Sequence, residues 1–297
     1  MKNDKEIKSV LVTGANGFIG GHVVDMLLEE GYEVGVFDRN LNNKNDYDER
    51  CKLYFGDTRD YETISEAISK HDGVIHLAGI LGTQETVDKP IPSVNTNIIG
   101  GLNVFQGCRF YKKKCVYIAV GNHWMNNSYS ITKTTTERFA LMYNKEHGTK
   151  IAVVRGLNVY GERQKAKPVR KIMPNFILPA LNNEDILIYG SGEQRMDMIY
   201  VKDVARVLIN ALVIEHDVYD RTFEAGLGIA PTVNDIAKTV IRLCNSTSKL
   251  NHTDMRAGEE KISVVIGNPK TLIPILGEDY PFVSMEEGIK KSIEWYK

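Results

Sequence analysis

Short apolar runs recur along the first half of this chain, and each is followed by a longer stretch in which apolar residues return at helical spacing. The runs at 8–13, 33–37, 51–55, 73–77, 114–120 and 150–155 predict β-strands; the stretches near 18–30, 60–70, 92–111 and 129–147 predict helices. Strands alternating with helices, apart from the successive runs at 33–37 and 51–55, predict an α/β fold with a doubly wound parallel sheet wrapped by helices. Right-handed crossovers then bring the strand C-termini, and any ligand, to one edge. The loops on that edge are Gly14 to Gly20, Asp38 to Asn45, Gly56-Asp57, Ala78 to Gln84 and Ala119 to Ser128. After residue 155 the pattern loosens, with Pro168, Pro174, Pro179 and Pro231 interrupting it. The expected division is residues 1–165 for the sheet and 166–297 for a smaller substrate-binding domain, parts of which return to the sheet.

The first strand runs directly into V-L-V-T-G-A-N-G-F-I-G at 10–20, with glycines at Gly14, Gly17 and Gly20. Gly14 permits a sharp turn off the strand, Gly17 a close backbone approach to a pyrophosphate, and Gly20 tight packing of helix on sheet. Asn16, Phe18 and Ile19 complete this loop. Phosphates sit on the helix N-terminus, where unpaired N–H groups and the dipole favour anions. The second strand ends at Asp38, an acid placed to accept hydrogen bonds from both ribose hydroxyls. A carboxylate there repels a 2′-phosphate, which favours NAD, although the neighbouring Arg39 has a guanidinium able to accommodate one. The glycine loop and Asp38 make the sheet Rossmann-type.

Composition narrows the class of partner. Thirty-seven basic against 38 acidic residues give a formal charge of −1, so no global field attracts nucleic acid. The local clusters Lys112 to Lys114 and Lys165 to Lys171 read as solvated faces or loops. No apolar stretch approaches the roughly 20 residues that span a bilayer, and the first residues lack a signal-peptide core. Cys51, Cys108, Cys115 and Cys244 have neither metal-ligand spacing nor the number for a disulfide framework. A cytoplasmic protein without a metal site is expected.

Chemistry enters at Tyr129-Ser-Ile-Thr-Lys133. A spacing of four puts the phenol and the ammonium on one helical face. A nearby ammonium is expected to lower the tyrosine pKa from near 10 toward neutrality, so that Tyr129 takes a proton from a sugar hydroxyl while a hydride leaves the same carbon.

With these residues in place, the chain resembles the extended short-chain dehydrogenase/reductase family, in its nucleotide-sugar epimerase and dehydratase branch. The resemblance rests on T-G-A-N-G-F-I-G at 13–20, G-D at 56–57, H-L-A-G at 76–79, N-x-x-G at 97–100, Y-x-x-x-K at 129–133 and R-G-L-N-V-Y-G at 155–161. It continues through Y-G-S-G-E-Q-R-M-D-M-I-Y-V-K-D at 189–203, R-A-G-E at 256–259 and the terminal S-M-E-E-G-I-K-K-S-I-E-W-Y. The resemblance implies that Asp57, with Thr58 beside it, holds the adenine, that Leu77, Ala78 and Gly79 line the cofactor, and that Lys133 also binds the nicotinamide ribose. It implies substrate contacts at Asn158, Arg195 and Arg256, an amide and two planar guanidinium forks suited to a diphosphate. A homodimer through the helices at 92–111 and 129–147 is a further expectation. His76, at a strand end, reads as a packing residue.

One departure bears on mechanism. The family places a serine or threonine at the end of the strand before the Tyr129 helix; this strand ends Tyr117-Ile-Ala-Val-Gly-Asn122, and the following loop is short. Asn122, His123 or Ser128 is expected to replace the missing hydroxyl, with Thr83 a further donor and Trp124 a possible wall of the sugar pocket. The same loop lacks the carboxylates of the family's 4,6-dehydratases, leaving Glu85 or Glu162 to act from elsewhere. Epimerisation through transient C4 oxidation is the leading expectation. A dehydratase, a 4-dehydrogenase or ketosugar reductase, and a non-catalytic NAD and nucleotide-sugar binding protein are the alternatives.

Overall fold

The computed structural model describes residues 7–41 and 48–297, so part of the predicted Asp38 to Asn45 loop lies outside the described residues. The first half alternates as expected: β1 (Ser9–Thr13), α1 (Phe18–Glu29), β2 (Glu33–Asp38), β3 (Cys51–Phe55), α2 (Tyr61–Ser69) and β4 (Gly73–His76). Next come α3 (Pro90–Ser93), a π-helical segment Val94–Ile99, α4 (Gly100–Phe110), β5 (Lys114–Val120), α5 (Ser128–His147) and β6 (Ile151–Gly156). The predicted helix at 92–111 is therefore three pieces. Its wide π turn carries Asn97, whose side chain accepts from Ile80 N–H at 2.8 Å and donates to Ile80 C=O at 3.1 Å and to Thr132 Oγ1 at 3.0 Å. One amide thus ties the loop after β4 to α5, a common use of π-bulges near functional sites.

The remaining elements are β7 (Asn158–Tyr160), α6 (Ile172–Leu181), β8 (Ile186–Tyr189), β9 (Arg195–Met196), β10 (Met198–Tyr200), α7 (Val201–Val213) and β11 (Thr222–Ala225). After them come α8 (Val233–Leu243), β12 (Leu250–Thr253), β13 (Val264–Val265), α9 (Ile273–Leu276) and α10 (Met285–Tyr296). The main sheet is wholly parallel, in the order β11-β6-β5-β4-β1-β2-β3. Strand order reverses at β1, where Val12 lies between Val36 of β2 and Ile75 of β4. Such a switch point opens a crevice beyond the strand C-termini.

Val and Ile dominate the central strands because both faces are covered. One face packs against α1 and α7, with Val23, Leu27, Val204 and Leu208 fully buried. The other packs against α2, α4 and α5 through Ile64, Ile68, Val104 and Phe105. A separate apolar cluster holds α6, α8 and α10 around Phe176, Ile236 and Ile289. In this second lobe the strands form three small parallel pairs, β7 with β10, β8 with β12 and β9 with β13. Buried Asp197 binds the lobe together: its carboxylate accepts from Leu227 N–H and Gly228 N–H at 2.8 Å and from Gly267 N–H at 3.1 Å. No helix among the described residues is long and apolar enough to cross a membrane.

Candidate active site

A cavity of about 630 Å³ opens at the switch point between the sheet edge and the second lobe. Every residue of the expected cofactor set lines it, from Gly14 to Lys133. At Gly14 the backbone has φ +69°, and a Cβ would stand 2.7 Å from Ala78 N. At Gly20 a Cβ would stand 2.3 Å from Gly14 O. Neither position tolerates a side chain, so both glycines are required by the turn itself. Asp38 faces the cavity, its carboxylate accepting from Asn16 N–H at 3.1 Å and Asn40 N–H at 3.0 Å. Arg39 is drawn toward Asp57 at 3.6 Å, and Arg59 clasps the same carboxylate at 2.7 Å. These acids and glycines fit NAD: the cradle has no room for side chains at the turn, and the nearest guanidinium is already engaged.

Helix α5 begins where Asn127 caps it by accepting from Ser130 N–H at 2.9 Å. The cap sets Tyr129 and Lys133 on the turn facing the cavity. Lys133 Nζ lies 4.2 Å from the centre of the Tyr117 ring, and Tyr117 Oη donates to Lys133 C=O at 3.1 Å. One turn further, Glu137 receives two hydrogen bonds from Arg155, at 2.6 and 3.0 Å. Contrary to the sequence expectation, Tyr129 is not acidified. Burial pushes its phenol up to about 12. Burial also brings Lys133 down to about 7, with Glu137 opposing that shift. Desolvation is the leading cause in both cases, acting on a buried Lys133 and a half-buried Tyr129.

His76 is a packing residue, as read from its strand end. Its Nδ1 shares a 2.7 Å hydrogen bond with the Thr13 hydroxyl, its ring stacks on Tyr117, and burial lowers its pKa to about 3.

The loop after β5 corrects two expectations. His123 does not line the cavity; its Nδ1 donates to Gly121 C=O at 3.2 Å and its ring lies against Trp124, which is likewise outside. Asn122 does line it, with its amide Nδ2 3.4 Å from Met125 Sδ. The two preceding positions, Val120 and Gly121, also line the wall, and neither carries a hydroxyl. Glu85 lines the cavity, whereas Glu162 accepts from Tyr200 Oη and lies elsewhere.

The substrate set divides in the same way. Asn158 and Arg256 line the cavity. Asn158 Nδ2 donates to Asp197 C=O at 3.1 Å, and Arg256 pairs with Glu259. Thr83 lines it as well, but its hydroxyl donates to Glu259 at 2.8 Å. Arg195 does not line it. It is exposed on β9 and donates to Ala230 C=O at 3.2 Å. Its neighbour Met196 faces the cavity instead. Successive strand residues point to opposite sides, so one position separates a pocket arginine from a surface one.

The sequence reading missed several charged or aromatic residues here. Arg170, Lys171, Tyr189 and Glu259 all line the cavity. The Lys165 to Lys171 stretch is largely exposed, as read, yet Lys165, Arg170 and Lys171 also border the cavity. The guanidinium carbons of Arg170 and Arg256 lie 5.6 and 5.1 Å from the centre of the Tyr189 ring. Only the dense spacing of cations between 165 and 171 signalled this wall.

Residues 10–226 match the family model described as the NAD dependent epimerase/dehydratase family. The chain belongs to that family. Among family relatives it is 29% identical to the UDP-N-acetyl-alpha-D-glucosaminuronate decarboxylase of Bacillus cytotoxicus, over 98% of each chain. It is 28% identical to the UDP-glucuronate 4-epimerase of Thermodesulfobacterium geofontis, over 97% of this chain and 95% of the relative. A solved family structure, the UDP-glucose 4-epimerase of Thermotoga maritima with UDP-glucose, superposes with a TM-score of 0.88 at 29% identity. That match covers 97% of this chain and 98% of the other.

Proposed function

We propose that the chain is an NAD-dependent UDP-sugar 4-epimerase that oxidises C4 transiently and returns the hydrogen to the opposite face. The observation that carries this reading is a single cavity that holds the glycine turn, the Tyr129 and Lys133 pair, and Arg256. Gly14, Gly20, Asp38 and Asp57 are the residues that hold NAD, which when bound supplies a hydride acceptor and a positive charge. Tyr129 takes the C4 hydroxyl proton and gives it back. Lys133 holds the ribose, and its ammonium one turn along the helix favours the phenolate. Asn158 and Arg256 grip the diphosphate, leaving the sugar free to present either face. Asn122 takes the place nearest the absent hydroxyl.

Epimerisation is favoured over dehydration because the strand-end loop contributes no carboxylate to the cavity. The same geometry supports residues 1–165 as the cofactor part and 166–297 as chiefly the substrate part, with α7 and β11 returned to the sheet. Exposed Ile99, Phe110, Ile131 and Met142 along α4, α5 and the π segment support a homodimer through these helices. The free cysteines support a cytoplasmic setting.

The test is incubation of the purified protein with a panel of UDP-, GDP-, dTDP- and CDP-sugars, read by mass spectrometry and NMR. A mass-neutral inversion at C4 of a UDP-sugar with retained NAD is expected. Loss of water or of carbon dioxide would replace the epimerase with another reaction of the family, and binding without conversion would make the chain a binding protein.

A further inference from the structure

A diphosphate lowered into this cavity carries two negative charges away from water, and their burial requires matching cations. Arg256 supplies one. The second expected guanidinium, Arg195, is turned outward by the parity of β9, and Met196 occupies the inward position. The same lobe offers a different cation at the cavity wall. Lys171 caps α6, and the first turn of that helix opens on the cavity through Ile172 and Asn175.

The geometry points to Lys171 as the cation that meets the diphosphate together with Arg256, in place of the outward Arg195. This rests on the nucleotide-sugar reading above. Among the described residues the Lys171 ammonium has no carboxylate within ion-pair distance, although Glu85, Glu259 and Arg256 all act on it electrostatically. Burial holds it below the usual lysine range. A half-buried ammonium that faces the cavity beside another cation, with no carboxylate at ion-pair distance, costs stability, so its retention is explained by an anion that arrives later. Arg256 is paired with Glu259 through one terminal nitrogen, but its Nε is buried and has no hydrogen-bond partner. The two cations act on each other and stand on the second-lobe side, with Glu259 between Arg256 and Thr83. A diphosphate bridging them leaves the sugar to extend toward Tyr129.

Calorimetric titration of the NAD-loaded protein with UDP, uridine and UDP-glucuronate tests this. Lys171→Met is expected to weaken UDP binding roughly 10- to 100-fold, the range for a lost charged hydrogen bond. Uridine binding should stay unchanged and the melting temperature should hold or rise. Lys171→Arg should return UDP affinity to within about threefold of the original. An equal loss for uridine and UDP would make Lys171 a structural residue and overturn the assignment, as would unchanged UDP affinity. A loss confined to UDP-glucuronate would move Lys171 to the sugar carboxylate and also overturn it. Failure of the unaltered protein to bind UDP would instead remove the nucleotide-sugar reading itself.

Discussion

Leu157 fills the space into which a side chain at Gly121 would project: a Cβ there would lie 2.3 Å from Leu157 Cδ1 and 3.3 Å from Leu157 Cα. The missing hydroxyl at the end of β5 is therefore built into the packing, since Leu157 also wedges against Gly226 and Gly267. Gly121→Ser alone should lower stability by about 1–3 kcal/mol, as overpacking does. Combined with Leu157→Ala, the serine gains room, and the pair should cost less than the sum of the two single changes. Denaturant melts of the four proteins check this, and strict additivity would show that the two positions do not compete for space.

Tyr129→Phe should reduce turnover by about 10²- to 10⁴-fold, the usual contribution of a positioned acid–base group. UDP affinity should change little, because the role proposed for the phenol is at the sugar and not at the diphosphate. Rate and binding measured on the same preparation separate the two effects; unchanged turnover would remove Tyr129 from the chemistry.

Buried Lys133 and half-buried Tyr129 give the cofactor-free protein a pH signature. Lys133 titrates at about 7 when folded against 10.5 unfolded. Between these values the unfolded chain binds the extra proton, so stability rises with pH, by at most about 1.4 kcal/mol per unit. Tyr129 acts oppositely above 10.0, its unfolded value, because the folded state holds the proton up to about 12. Melting temperatures of the original and Lys133→Met proteins should therefore converge as pH rises from 7 toward 10. Parallel curves would mean that Lys133 is fully charged in the fold.

Arg195→Ala should alter UDP affinity less than about twofold, because an exposed arginine that meets a backbone carbonyl contributes little. Arg256→Ala should cost roughly 10- to 100-fold. Titration of both variants against UDP distinguishes the two arginines, and a large effect at Arg195 would return it to the pocket.

The six strands and the cofactor turn were legible because their signals are local. An apolar run such as Val10 to Val12 can only be a buried strand here, and Gly14 and Gly20 fail sterically with any other residue. The π turn was not legible, since Asn97 earns it through bonds to Ile80 and Thr132 rather than through its neighbours in sequence. The second lobe escaped for the same reason: β9 and β13 span two residues each, too few to show a period.

At the site, spacing along α5 put Tyr129 and Lys133 on one face, where both line the cavity, but said nothing of the desolvation that raises the phenol instead of lowering it. Arg195 was misplaced by one residue of strand parity, and His123 by a loop that folds its ring onto Trp124. Lys171, Tyr189 and Glu259 come together from three separate segments, so no local motif could join them.

Strand β11 lies beside β6 in the finished sheet, yet the whole stretch from Leu157 to Arg221 intervenes between them in the chain. The sheet edge therefore cannot close while the polypeptide is still emerging through β6. Closing so long a loop is slow, and the partners it brings together are non-local. The nucleotide turn at Gly14 leaves the ribosome before β6, but Leu157 meets Gly226 and Gly267 only after β11 and the segment that follows it have been made. The glycine turn and the packing around Leu157 thus mature on different clocks, the one before β6 is complete and the other only once residue 267 has followed.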